Sequence, residues 1–277
     1  MRWMMLLGLT VTTAAGQTDQ DWAAQLASWR EKRMESLKAE DGWPPVVGLH
    51  WLEQGANPAG AAGKIGIFVR EGNRVWFDPD PGAQVQIDGQ AARRQDLRPD
   101  VPGPASLITA GSLTLFVIER GGKLGVRVRD TNSPFRKAFR GIDYFPARPE
   151  YRVEARQVRQ ERKKLSVSTV IDGLTEEMES AGMLEFRLQG VDCRLEAALS
   201  GGRLFLIFKD QTSGKTTYPA GRFLYAELPA DGRIVLDFNR AINPPCAFTP
   251  YATCPLPPAH NKLPVAVEAG ELAYHYE

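Results

Sequence analysis

The sequence predicts a mainly β protein, with an N-terminal amphipathic helix followed by two β-sandwich or barrel-like modules. Three observations lead there. Short apolar runs recur from residue 64 onward, each bounded by Gly, Asp, Asn or Pro turn signals. Helical periodicity is confined to residues 21–40. No glycine fingerprint opens a helix, so a parallel, dinucleotide-binding sheet is not expected.

Met1-Arg2 precedes a short apolar run to Val11 and the small residues Thr12 to Gly16, the layout of an export signal over 1–16. The run falls short of the roughly 20 apolar residues a membrane span needs. Export to the periplasm or beyond is therefore expected, with a cytoplasmic protein as the alternative and no transmembrane segment in the mature chain. Over 21–40, Trp22, Leu26, Trp29 and Leu37 follow helical spacing while Arg30, Glu31, Lys32 and Glu35 fill the other face, so the helix is expected to lid a β body. Asp41-Gly42 ends it. The patch Trp43 to Gly55 carries His50, a packed or half-exposed side chain in its plainest reading.

The first β module is expected over 64–130, with strands at Ile65–Val69, Arg74–Phe77, Gln84–Ile87, Ser106–Thr109, Leu113–Glu119 and Leu124–Arg129. Thr131 to Arg148 reads as a linker. The second module, over 150–277, begins with a basic stretch, Tyr151 to Lys164, facing an acidic one, Thr175 to Glu185, as cross-strand charge pairs. Further strands are expected at Met183–Leu188, Cys193–Ala198, Arg203–Phe208, Arg222–Leu228, Ile234–Phe238 and Val265–Val267.

With 34 basic against 33 acidic residues there is no global field to gather nucleic acid, and no aromatic residues interleave with the arginines of 151–164. A nucleic-acid partner is not expected. The chain lacks Gly-x-Ser-x-Gly and His-Glu-x-x-His, and Lys209 stands where a phosphate loop ending in Gly214-Lys-Thr216 would need glycine.

The segment Asn243 to Asn261 holds six prolines in nineteen residues. Each fixes its φ and removes a donor, so the segment must be a shaped loop. Together with the Asp210-x-Thr-x-Gly214 turn, the Tyr218-x-x-Gly-Arg222 segment and Glu268-Ala-Gly-Glu271, its Asn243-Pro-Pro-Cys-Ala-Phe248 start closely resembles the bacterial domain-of-unknown-function family 1684. The likeness extends more loosely through Trp29, Arg33, Gly48 to Trp51, Arg127 to Asp130 and Tyr144 to Pro146. It implies no established activity, cofactor or catalytic residue.

Read from the residues, strand alternation in Leu236-Asp-Phe-Asn239 sets Asp237 and Asn239 opposite Leu236 and Phe238. These two, with Asn243, Tyr251, His260 and Asn261, are candidates to line a polar pocket, and Arg222 is a candidate anion fork. Arg222 could equally be a buried partner of Asp237. Cys246 and Cys254 admit four readings: a disulfide stapling the loop, a catalytic thiol with His260 or His50 as base, a zinc site with His260, or packed thiols. Zinc is disfavoured by the seven residues between the cysteines, and no metal site is assigned. The leading functional expectation is binding of a small polar or anionic ligand at 237–261. The alternatives are a hydrolase or thiol-dependent enzyme using the same loop, and a structural or interaction module.

Overall fold

The computed structural model describes residues 19–59, 65–158, 163–228 and 233–274; the expected leader at 1–16 lies outside them. The chain is mainly β, with helix α1 (Asp19–Lys38) first. Its buried stripe runs Trp22, Leu26 and Leu37, one face of a helix as the spacing requires. Arg30, expected on the solvent face, lies instead on the packing side with Arg33. Its guanidinium covers the Tyr144 ring at 4.3 Å and donates to the Phe145 carbonyl at 3.2 Å. Long side chains can bury their stems while the head finds polar partners, which an apolar periodicity does not register.

Ten strands form the first module: β1 (Val46–Trp51), β2 (Gly55–Pro58), β3 (Gly66–Glu71), β4 (Arg74–Pro79), β5 (Gln86–Ile87), β6 (Gln90–Ala91), β7 (Gln95–Asp96), β8 (Ile108–Ala110), β9 (Leu113–Arg120) and β10 (Lys123–Asp130). They make a six-stranded sheet, β1-β10-β9-β8-β5-β6, and a four-stranded one, β2-β3-β4-β7. Phe68 and Phe77 from the smaller sheet meet Leu115, Val117, Val126 and Val128 from the larger in one core, a sandwich. The sandwich takes in β1 and β2, N-terminal to the 64–130 range.

A short helix, α2 (Pro134–Ala138), capped by Ser133, leads to the second module. This is a half-barrel of β11 (Arg152–Val158), β12 (Lys164–Ser168), β13 (Thr175–Leu188), β14 (Val191–Ser200), β15 (Arg203–Phe208), β16 (Arg222–Ala226) and β17 (Arg233–Asp237). The order is β16-β15-β14-β13-β11-β17, with β12 beside β13. Opposite charges do face each other across these strands: Arg156 bonds Glu185 and Lys164 bonds Glu177, each at 2.7 Å. The end strands β16 and β17 curve back toward each other without forming a ladder, leaving an open seam.

Leu184, Leu195, Leu206, Leu224, Leu236 and Phe238 fill the half-barrel, sealed by Leu263, Val265, Val267 and Ala269 from the C-terminal segment. Val265–Val267, expected as a strand, forms none; Val265 and Val267 are buried, and side chains rather than a ladder hold the segment. Strand β17 also stops earlier than its alternation predicts. Asp237 caps a 3-10 turn over Phe238–Arg240, its carboxylate accepting from the Asn239 N–H at 3.1 Å, so Asn239 does not continue the strand face.

Candidate functional site

Two places bring chemistry-bearing side chains together: the underside of the C-terminal segment, and the open seam. Beneath the segment, polar side chains stand in for absent strands. The β14–β15 ladder ends at Ala198–Phe205, and two residues further along, where Glu196 and Ile207 would pair, the Asn261 amide inserts between the strands. It accepts from the Glu196 N–H at 2.8 Å and donates to the carbonyls of Glu196 and Ile207 at 2.9 and 3.0 Å. Asn239 clasps Arg148 in the same way, accepting from its N–H and donating to its carbonyl, both at 3.0 Å.

Arg222 is fully buried, and its partner is Asp210 at 2.9 Å, not Asp237. The reason is the turn Asp210-Gln-Thr-Ser-Gly214. There the Asp210 carboxylate takes the Thr212 N–H at 2.8 Å and the Thr212 hydroxyl at 2.5 Å, which fixes it under the adjacent strand β16. Arg222 then donates to the carbonyls of Val267, at 2.9 Å, and Ala269, while Asp210 accepts from the Val267 N–H at 3.2 Å. The ion pair thus serves Val267 as a neighbouring strand would. Burial lowers the Arg222 pKa, and Asp210 opposes the shift.

Glu271 is a second buried hub. It accepts from Arg33 at 2.9 Å and from the Asn243 N–H at 2.6 Å, and it lies 3.5 Å from the Tyr144 hydroxyl. Burial, reinforced by this carboxylate, pushes the Tyr144 hydroxyl well up. Gly270 aims Glu271 inward: at φ +81° any Cβ would meet the Ala241 carbonyl at 2.5 Å. The Asn243 side chain donates to Leu272 at 2.7 Å. Tyr251 is half-buried beside Thr249, and His260 pairs with Glu196 at 2.8 Å on the surface.

All three cysteines are free and buried, so of the four readings of Cys246 and Cys254 the disulfide is not present. The two do meet, with the Cys246 N–H donating to the Cys254 sulfur at 3.1 Å. The prolines and the asparagine clasps hold the loop without a covalent staple. Neither His260, committed to Glu196, nor the exposed His50 is bonded to a thiol among the described residues. No three His, Cys, Asp or Glu residues among them form a metal-ligating group.

The open seam is a cleft of about 340 Å³ between β16, β17 and the start of α1. Arg152, Arg233 and Arg240 line it with Asp237 and Glu227, and Trp22, Gln25 and Tyr225 complete its walls. Arg152 and Asp237 are register partners on β11 and β17. Asp237 is held by Trp22, whose indole N–H donates to it at 2.9 Å, and lies 3.6 Å from Arg240 Nε. That Nε is buried without a hydrogen-bond partner. Of the residues singled out from the sequence, Asp237 lines the cleft, whereas Arg222, Asn239, Asn243, Tyr251, His260 and Asn261 do not. The three arginines were missed because they sit in different segments, although Arg152 and Arg233 alternate with apolar neighbours on their strands.

Residues 137–272 match the model of a family described as protein of unknown function, DUF1684. The chain belongs to this family. The DUF1684 stretch begins within α2 and ends just past Glu271, so it takes in the half-barrel and its clasps. An uncharacterized protein of Haloarcula marismortui, solved by solution NMR, is 36% identical over 50% of this chain and 78% of its own length, with a TM-score of 0.42. No curated protein matches. Among the described residues no helix is long and apolar enough to cross a membrane.

Proposed function

We propose that this protein binds a small anionic ligand in the seam between β16 and β17. One observation carries the reading: three arginines from three segments, Arg152, Arg233 and Arg240, converge on one cleft against two carboxylates, Asp237 and Glu227. The three guanidiniums stand between the ends of β16 and β17, which form no ladder with each other, where a planar fork suits an anionic oxygen. Trp22 and Tyr225 supply flat apolar walls, and the Trp22–Asp237 bond fixes one rim before any ligand arrives. A cleft of this size suits a metabolite-scale anion.

Titration calorimetry with inorganic phosphate, phosphate monoesters and dicarboxylates tests the reading. One of these classes is expected to bind with an affinity that falls with salt and drops about tenfold or more in Arg240→Gln, the loss of a charge-assisted bond. Failure of all three classes to bind, or unchanged affinity in both Arg240→Gln and Arg152→Gln, would sink it.

Export of the mature chain is part of the same proposal, supported by the layout of residues 1–16. Intact-mass measurement of the protein recovered from a secreting bacterial host is expected to show a chain lacking the leader. A full-length mass in the cytoplasmic fraction would refute export.

A further inference from the structure

The cleft between β16 and β17 changes character along its length. On β17, Arg233, Val235 and Asp237 alternate with the buried Ile234 and Leu236, so all three project from the outer face of the half-barrel. Successive members of this row stand about 7 Å apart. Two arginines gather at the Asp237 end: Arg152 is its register partner on β11, and Arg240 Nε lies 3.6 Å from its carboxylate. Every neighbouring pair from β16 round to β17 is antiparallel, and after five such pairings the two strands run in opposite directions. Glu227 and Leu228, just past β16, therefore belong to the other end, with Arg233.

Beyond the paired arginines the walls turn apolar. Val235 is 41% exposed and Leu228 47% exposed, and both line the cleft. One exposed aliphatic side chain is ordinary, but two in the same recess leave apolar surface for a ligand to cover. Tyr225, on the β16 side, stacks on Phe205 at 4.8 Å and has the Arg203 guanidinium 4.7 Å from its ring centre, so the ring is set before a ligand arrives. A second negative group along this stretch would stand near Glu227, which lines the recess, and Glu154, the register partner of Val235. The walls therefore suit one anionic head followed by an uncharged, apolar body.

Resting on the anion reading, we propose that the ligand is a phosphate monoester whose ester group is apolar, an aryl ring or a short alkyl chain. The phosphate sits at Arg152 and Arg240. Guanidinium forks from two segments offer more N–H donors than one carboxylate accepts side by side, whereas the three terminal oxygens of a phosphate take both. Asp237 does not compete for that place, because its two oxygens are occupied within the protein, by the Trp22 indole and the Asn239 amide, each at 2.9 Å. It aims Arg240 instead. The ester group lies along Val235, Tyr225 and Leu228, and the step from the Asp237 position to Val235 is the reach of a phosphate bearing one ring.

Titration calorimetry with inorganic phosphate, glycerol phosphate, phenyl phosphate, hexyl phosphate and succinate tests the proposal. Phenyl and hexyl phosphate are expected to bind about tenfold tighter than glycerol phosphate, the gain from covering apolar wall, and succinate is expected to bind weakest. In the double variant Val235→Gln/Leu228→Gln, at two exposed positions and with native near-UV circular dichroism, the ratio of phenyl to glycerol phosphate affinity should fall from about ten toward one. Val235→Thr keeps the shape of the strand residue and should lower the same ratio in part, which serves if the double variant does not fold. Equal affinity for phenyl and glycerol phosphate, a ratio that survives these substitutions, or succinate binding tighter than phenyl phosphate would overturn the apolar monoester. Each of those results leaves the anion site standing, provided the bound probe weakens in Arg240→Gln. Absence of binding by every probe would overturn both.

Discussion

The asparagines of the C-terminal segment bind main chain, and that decides what their replacement should do. Asn261 is 1% exposed and uses both donors on carbonyls of separated strands while its oxygen accepts an N–H. Asn261→Asp keeps the acceptor, loses both donors and sets a negative charge against two carbonyl oxygens. A loss of about 3 kcal/mol or more is expected, as for a buried polar group left unsatisfied. His260, next in the chain but paired with Glu196 at the surface, should be nearly silent, His260→Ala shifting stability by about 0.5 kcal/mol or less. Urea denaturation of both variants reads the contrast, and an unchanged midpoint in Asn261→Asp would mean that the clasp does not carry the seal. The sequence shows that these residues are polar and proline-framed. It does not show whether an asparagine faces a ligand or a carbonyl, because the partners lie 54 and 65 residues away.

Elements were legible in proportion to how much of their signal is local. β9, β10 and β15 fall within a residue or two of expectation, because a continuous apolar run and flanking Gly-Gly turns speak for themselves. β5 to β7 are two residues each and have no period to read, so only β5 was anticipated, at the end of a longer run. Val265–Val267 shows the opposite failure. Its apolar spacing is real and its burial is real, but the ladder is replaced by Asp210 and Arg222, side chains from another element. The cleft followed the same logic: Asp237 was visible in its own strand, whereas the arginines become neighbours only once β11 and β17 pair and the 3-10 turn swings Arg240 back toward Asp237.

Across the whole molecule, the sandwich and the half-barrel have separate cores, and the proline-rich loop joins them. Phe248 stacks on Tyr274 at 5.0 Å, meets Phe139 edge-on at 6.1 Å, and lies under the Arg33 guanidinium at 5.6 Å. Its cluster takes in Leu37 of α1, Ile142 of the linker and Trp43 ahead of β1, and the next residue, Thr249, donates to the Val46 carbonyl at 2.8 Å. Helix, sandwich and half-barrel therefore share one aromatic contact. The wild-type protein is expected to melt in a single transition with matching calorimetric and van't Hoff enthalpies. Phe248→Ala removes a fully buried ring at a cost of about 3–5 kcal/mol, and it does so at the shared contact rather than inside either core. Two resolved transitions are expected from it in scanning calorimetry, the module cores then melting independently. Two transitions already in the wild type, or one unshifted transition in Phe248→Ala, would show that the modules are coupled elsewhere or not at all.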